Sequence, residues 1–377
     1  MKKELGLFRN VTYPDARYEG FASKANAEAA YQTACESITL LKNENRVLPV
    51  DLKKEKVLVC GPSANSLNLL NGGWTHTWQG TDARFNTKGK QTIREALIGK
   101  SQEGQVVFAE GSTTDSLTDI DRCLALAATV EKIIVCLGET PCTEIPGNID
   151  DLSLPPAQQE LVDRLYSTGK PILLVCCFNR PRVIHTLVKK ASAILYAYLP
   201  GDEGGKAIAD CITGEREPGG RLPFTYPAAT NALIKYDHKH SEQLATDFSK
   251  NGYRPEFDFG SGFGYTSFEY KEAALSRDSF DDDSRMELRV RILNTGNRTG
   301  QEVVQVYYRD EIASITPSAK KLVAYRKVSL EPNEEKEVIF AFSKNDFSFV
   351  NKELQRVTEP GDFQLMVAGI KIPFHVR

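Results

Sequence analysis

The sequence predicts an α/β layered domain on a largely parallel sheet, followed by an all-β antiparallel sandwich. Three observations predict it. Up to about residue 213, short apolar runs alternate with segments of helical period, the pattern of strand–helix units and a parallel sheet. Residues 227–265 are irregular and polar, too long for an ordinary connection inside one compact unit. Beyond residue 285 the apolar period switches to two, with turn residues between short runs, as in a β-sandwich. At 377 residues the chain has room for two or three domains and a substantial core. The boundaries that follow are a linker over 1–22, the α/β domain over 23–227, a connector over 228–267 and the sandwich over 268–377.

In chain order, residues 1–22 are irregular. Ser23 caps a helix expected to run to about residue 43, with Tyr31, Ala34, Cys35, Ile38 and Leu41 at helical spacing. A strand over 56–60 stops at Gly61-Pro62, and a Gly-rich loop follows over 71–80. Next come a helix over 92–99, a strand over 105–109 and a helix over 115–130. Residues 133–137 (Ile-Ile-Val-Cys-Leu) form an unbroken apolar run, the mark of a strand covered on both faces. Ser153 with Pro155 and Pro156 starts a helix that buries Ala157, Leu161, Val162 and Leu165, with Asp150 and Asp151 as its acidic cap. A strand over 171–177, a helix over 182–189, a strand over 193–198 and a helix over 201–213 complete the layer, the last burying Ile208, Cys211 and Ile212. Asp281-Asp282-Asp283 reads as a solvated turn. Alternation at Leu288, Val290 and Ile292, at Val338, Phe340 and Phe342, and at Phe363, Leu365 and Val367 marks the sandwich strands.

Two loops carry the candidate chemistry. The apolar run 133–137 breaks at Gly138 into a loop with Glu139, Glu144, Asp150 and Asp151. Sites in open α/β sheets form beyond the carboxyl ends of strands, which is where these acids lie. From position alone a solvated acidic loop serves equally well. The loop over 71–80 holds both tryptophans of the chain, Trp74 and Trp78. Two indoles in a Gly-rich loop at a strand end favour a pocket wall over core packing.

Composition excludes other classes. A net charge of −3 lacks the basic surface a nucleic-acid partner needs. No apolar run approaches the roughly 20 residues of a membrane helix. Two lysines follow Met1 without the apolar segment of a signal peptide, so as written the chain is expected to stay in the cytoplasm. The eight cysteines include no CxxC, and the five histidines show no ligand spacing, so neither metal nor cofactor is expected. Cys60, Cys136, Cys176 and Cys177 sit in apolar runs as small hydrophobes. Gly201-Asp202-Glu203-Gly204-Gly205-Lys206-Ala207 falls short of a phosphate loop, with one residue too few and Ala207 in the Ser/Thr position.

Taken together, these motifs resemble glycoside hydrolase family 3, specifically its C-terminal part. The resemblance rests on Leu40-Leu41-Lys42-Asn43-Glu44 with Leu48-Pro49, on Gly72-Gly73-Trp74-Thr75 through Trp78-Gln79-Gly80, and on Gly138-Glu139-Thr140-Pro141-Cys142-Thr143-Glu144. It extends through Leu199-Pro200-Gly201, Pro218-Gly219-Gly220-Arg221-Leu222-Pro223 and Phe259-Gly260-Ser261-Gly262. It implies an exo-acting, retaining, β-glucosidase-like hydrolase with Glu144 as general acid/base and Trp78 as a stacking wall for the sugar. Trp74 supports the loop, with a lesser part in binding, and Glu139 is a supporting residue. The tail is similar to a fibronectin type III-like domain. Relatives of this type begin with a (β/α)8 barrel that supplies the nucleophilic aspartate. This chain shows no barrel-like repeat and no Ser/Thr-Asp-Trp nucleophile motif, and residues 4–8 resemble the exit from such a barrel. Retaining hydrolysis needs two carboxyls about 5–5.5 Å apart, so the reading is of half an active site, inactive alone and completed by a separate barrel chain. A stand-alone carbohydrate-binding module and an interaction protein remain as alternatives. An intact parent is compatible with a periplasmic or secreted location. Cys142 departs from the tyrosine many relatives carry there.

Overall fold

The structure, a computed structural model, describes residues 1–9, 20–243, 253–280 and 285–377. Six strands form the first sheet: β1 (Thr39–Asn43), β2 (Val57–Cys60), β3 (Val106–Phe108), β4 (Lys132–Gly138), β5 (Ile172–Cys177) and β6 (Ala193–Tyr196). Their order is β1-β6-β5-β4-β2-β3, all parallel except β1, which runs antiparallel to β6. Six helices cover it: α1 (Lys24–Ser37), α2 (Ile93–Lys100), α3 (Ile120–Ala127), α4 (Pro156–Tyr166), α5 (His185–Val188) and α6 (Gly204–Thr213).

The unbroken apolar runs follow from this layering. Along β4, Ile134 and Cys136 face α1, α2 and α6, while Ile133, Val135 and Leu137 face α3, α4 and α5. Strand side chains alternate between faces, so a strand covered on both sides has no position for a polar residue. Cys60, Cys136, Cys176 and Cys177 are fully buried free thiols within these strands.

Several segments differ from expectation. The helix expected over 23–43 is two elements, because α1 ends at Ser37 and the chain turns extended at Ile38. Leu40 joins the core on one face of the sheet and Leu41 the core on the other, which is a strand's arrangement. The helix expected over 115–130 shortens to α3, because Asp119 turns its carboxylate to the Gly111 N–H at 2.7 Å and Ser112 bridges to Leu117. Helix α4 begins at Pro156, not Ser153, and Asp151 accepts from the Ser153 N–H at 2.9 Å and from the Thr230 hydroxyl at 2.8 Å instead of capping it. The last two helices of the layer also contract, to one turn at α5 and to a start at Gly204 in α6. Within 228–267, β8 (Pro255–Phe257) pairs antiparallel with β7 (Tyr226–Pro227). The acidic run 281–283 lies outside the described residues.

The second part is a sandwich. One sheet has the order β10-β18-β17-β12-β13 and the other β14-β11-β9. Their ranges are β9 (Phe268–Leu275), β10 (Ser279–Phe280), β11 (Met286–Asn294), β12 (Gly300–Asp310), β13 (Lys321–Leu330), β14 (Glu335–Phe342), β17 (Gly361–Val367) and β18 (Ile370–Val376), with the short hairpin β15 (Phe349–Val350) and β16 (Arg356–Val357) beside them. The period-two residues Leu288, Val290, Ile292, Val338, Phe340, Phe342, Phe363, Leu365 and Val367 all enter its core. The two parts are joined by polar links. Arg221 pairs with Glu302 at 2.6 Å, Lys327 donates to the Glu36 carbonyl at 3.0 Å, and the Gln305 amide donates to the Gly260 carbonyl at 3.0 Å. Gly220 is required there, since a Cβ would lie 2.1 Å from the Ser37 carbonyl oxygen.

Asp310 continues the inward face of β12 after Val304, Val306 and Tyr308, and only 7% of it is exposed. Burial raises its carboxyl to about 6, helped by Glu359 and Glu311 and opposed by the Ile312 N–H. An acid raised on folding holds its proton more tightly in the native state, so its contribution is intact at low pH and is lost as pH rises from 3.8 to about 6. Asp310→Asn, which mimics the protonated form, should raise Tm at pH 8 and leave it nearly unchanged at pH 3.5. A Tm gain that is the same at both pH values would refute this account.

Candidate active site

The carboxyl end of β4 is fixed before its loop begins. The buried Gln158 of α4 accepts from the Gly138 N–H at 3.0 Å and donates to the Gly138 carbonyl at 2.9 Å and the Thr114 carbonyl at 3.0 Å. Ser63, at the end of β2, donates to the Leu137 carbonyl at 2.8 Å. Three hydrogen bonds from two side chains, Gln158 and Ser63, therefore set where the chain leaves the sheet.

Glu139 follows, 6% exposed, between two guanidiniums from the end of the neighbouring strand β5. Arg180 donates to it through Nε at 2.9 Å, through Nη2 and through its backbone N–H at 3.2 Å. Arg182 donates through Nε at 2.9 Å and through Nη2. The remaining donors reach onward: Arg180 Nη1 to the Gly147 carbonyl and Nη2 to Cys142 Sγ at 3.4 Å, and Arg182 Nη1 to the Asp151 and Ser153 carbonyls at 3.1 and 3.3 Å. Planar guanidinium forks suit this sharing of one carboxylate and several carbonyls. Glu139 is thus committed to an ion pair that organises the loop.

Glu144 lies at the far side of the loop, exposed, with φ 56° and ψ −152°. Non-glycine residues seldom adopt such a conformation, which costs on the order of 1–3 kcal/mol and persists only where the surroundings enforce it. The Trp78 indole N–H donates to its Oε2 at 3.2 Å, so the two loops meet at the side chains expected to act together. The indole of Trp78 is 48% exposed and that of Trp74 64%. Trp74 does not pack behind the loop as expected: its backbone is left-handed (φ 64°) and donates to the Trp78 carbonyl at 2.9 Å, which turns the indole outward.

The Trp loop has its own base. Asp202 accepts from Asn71 at 3.0 Å, from His76 at 3.3 Å and from the Thr87 hydroxyl. Burial raises this carboxyl, but the three hydrogen bonds outweigh burial and hold it below its usual range. Gln79 joins the two loops: its amide donates to the Thr143 carbonyl at 3.2 Å and accepts from the Thr143 N–H at 3.0 Å. Gly73 permits this approach, since a Cβ there would lie 2.7 Å from Thr143 Cβ.

Sequence reasoning did not find Arg180, Arg182, Gln79 or Asp202 as site residues. Arg180-Pro181-Arg182, directly after an apolar strand, was the available signal. The Glu144 carboxyl is exposed and accepts from the Trp78 indole N–H. Glu139, Asp151 and Asp202 are each held by donors within the chain. Among the described residues no three His, Cys, Asp or Glu side chains converge as metal ligands.

Comparison with known proteins shows the family of both parts of the chain. Residues 38–265 match the glycosyl hydrolase family 3 C-terminal domain, and residues 302–369 match the fibronectin type III-like domain. A lysosomal beta glucosidase of Dictyostelium discoideum is 35% identical over 400 residues, covering 100% of this chain and 48% of that protein. A beta-xylosidase of Formosa agariphila is 30% identical, covering 98% and 52% respectively. The beta-glucosidase from Listeria innocua, in its complex with isofagomine, superposes with a TM-score of 0.88 at 27% identity, covering 100% of this chain and 54% of that one. The chain spans about half the length of the curated relatives it matches.

Removing one partner of a buried ion pair leaves charges uncompensated, at a cost of about 3–5 kcal/mol. Glu139→Ala should therefore lower stability by that amount in urea unfolding, whereas Trp74→Ala, at an exposed indole, should change it by no more than about 0.5 kcal/mol. Equal, small effects would contradict the role given to the ion pair.

Proposed function

We propose that this chain, which belongs to glycoside hydrolase family 3, is the acid/base-bearing portion of an exo-acting retaining β-glucosidase-like hydrolase that removes terminal β-linked sugars. The observation that carries the reading is Glu144 itself, an exposed carboxyl on an enforced left-handed backbone, in hydrogen-bond contact with an indole. Relatives named as β-glucosidases and β-xylosidases align over the whole region. In the first step Glu144 would protonate the leaving oxygen while a carboxylate nucleophile attacks the anomeric carbon. In the second it would take a proton from the water that cleaves the glycosyl-enzyme. Trp78 would stack on the sugar beside the leaving-group position and steady Glu144 through its N–H. Glu139 keeps a supporting role.

The nucleophile, on this reading, comes from a (β/α)8 barrel outside the residues described. The exposed Trp74, Trp78, Ile145 and Ile149 around the two loops give such a barrel an apolar face to cover. A second reading draws on the same exposed indoles: a carbohydrate-binding module that holds sugars without cleaving them.

The chain alone should not hydrolyse a chromogenic aryl β-glucoside above background, since the glycosylation step has no nucleophile. Turnover that Glu144→Gln abolishes would place the nucleophile within the chain and overturn that assignment. Completed by a barrel from a close relative, Glu144→Ala should cripple substrates with poor leaving groups far more than activated aryl glycosides, and azide should partly restore the latter. Binding of cellobiose by the isolated chain, with no activity in any assembly, would favour the binding module instead.

A further inference from the structure

We propose that Gln79 and Arg180 are positioning residues that clamp the Glu144 loop from two sides, so that this chain presents its carboxyl ready-formed. The proposal rests on the reading of Glu144 as the acid/base. Its starting point is the backbone at Glu144, since a conformation of that kind needs an external restraint. Two restraints flank it. On the N-terminal side, the residue immediately before Glu144 has both main-chain groups tied to the one side-chain amide of Gln79, at 3.0 and 3.2 Å. On the C-terminal side, the turn closed by the Gly147 N–H to the Glu144 carbonyl at 2.9 Å has its last carbonyl, that of Gly147, bound by Arg180 Nη1. The same guanidinium touches Cys142 Sγ, so it grips the loop before and after Glu144.

The two restraints have independent footings. Gln79 belongs to the Trp loop, which is pinned by Asp202, whereas Arg180 stands at the end of β5 and is aimed by Glu139. Neither side chain donates to the Glu144 carboxylate, whose partner is Trp78. Losing either should let the carboxyl drift without touching the sugar-binding surface. A misplacement on the order of 1 Å costs about 100-fold in rate, and it should fall on the proton-transfer step. Both variants should fold: in Arg180→Ala the buried Glu139 still pairs with Arg182, and Gln79 lies in a loop.

The test needs no substrate at first. Both tryptophans lie in the Trp loop, so Trp74→Phe leaves Trp78 as a single fluorophore hydrogen-bonded to Glu144. In that background, Gln79→Ala and Arg180→Ala should each shift Trp78 emission in the direction that Glu144→Gln does and raise its quenching by acrylamide. Gln79→Glu, which keeps the acceptor for the Thr143 N–H and loses the donor, should fall between. With a barrel from a relative added, each alanine variant should lose about 10- to 100-fold in kcat on poor leaving groups, with KM within about twofold. Parent-like Trp78 emission and parent-like leaving-group dependence in both alanine variants would overturn the clamp. If the emission shifts appear but Glu144→Ala shows no leaving-group dependence, the clamp stands and the acid/base assignment falls.

Discussion

One buried carboxylate, shared by two guanidiniums at adjacent strand ends, is the constraint on which the site depends. Glu139 leaves β4 and meets Arg180 and Arg182 leaving β5, the neighbouring parallel strand. Parallel pairing puts the carboxyl ends of both strands on the same edge of the sheet, which is why the acid and the bases converge. Removing such groups from water is costly, and the arrangement is tolerated because each guanidinium also satisfies loop carbonyls. The two guanidiniums also bind Cys142, Gly147, Asp151 and Ser153, so the pair ties both ends of the stretch on which Glu144 lies.

The layered sheet does the rest by exclusion. Its strands are covered on both faces, so polar chemistry is confined to the loops where they end. The Trp loop follows β2 and the Glu144 loop follows β4, adjacent strands in the sheet, and the loops meet through Gln79 and Trp78. Asp202, beyond β6, anchors the Trp loop from the other side. Three strand ends thus hold two short loops in register. Among the described residues the sandwich adds no group to this site; it braces the α/β domain through Glu302 on Arg221 and Gln305 on the Gly260 carbonyl.

Local pattern carried the fold class and the identity of the two loops. Unbroken apolar runs mark strands covered twice, period-two runs mark the sandwich, and the spacing from Gly138 to Glu144 survives in sequence because it is a local property. The β1 strand escaped, because Ile38 and Leu41 suit either a helix or a strand and only pairing with β6 decides between them. The extents of α3, α4 and α5 escaped for a similar reason, since Asp119, Asp151 and Ser153 spend their hydrogen-bonding groups on loops.

By itself, then, the sequence determined the central strands of both parts, though not β1, and which two loops carry chemistry-bearing residues, since these follow from nearest-neighbour periodicity. Tertiary structure alone decided how those residues are used. Glu139 and Glu144 are alike in composition and five positions apart in one loop. One is buried between guanidiniums contributed from about forty residues further on, and the other is exposed beside an indole from 66 residues earlier. Burial and partners at that separation are properties of the packed sheet, so the two glutamates acquire different chemistry only when β2, β4 and β5 lie side by side.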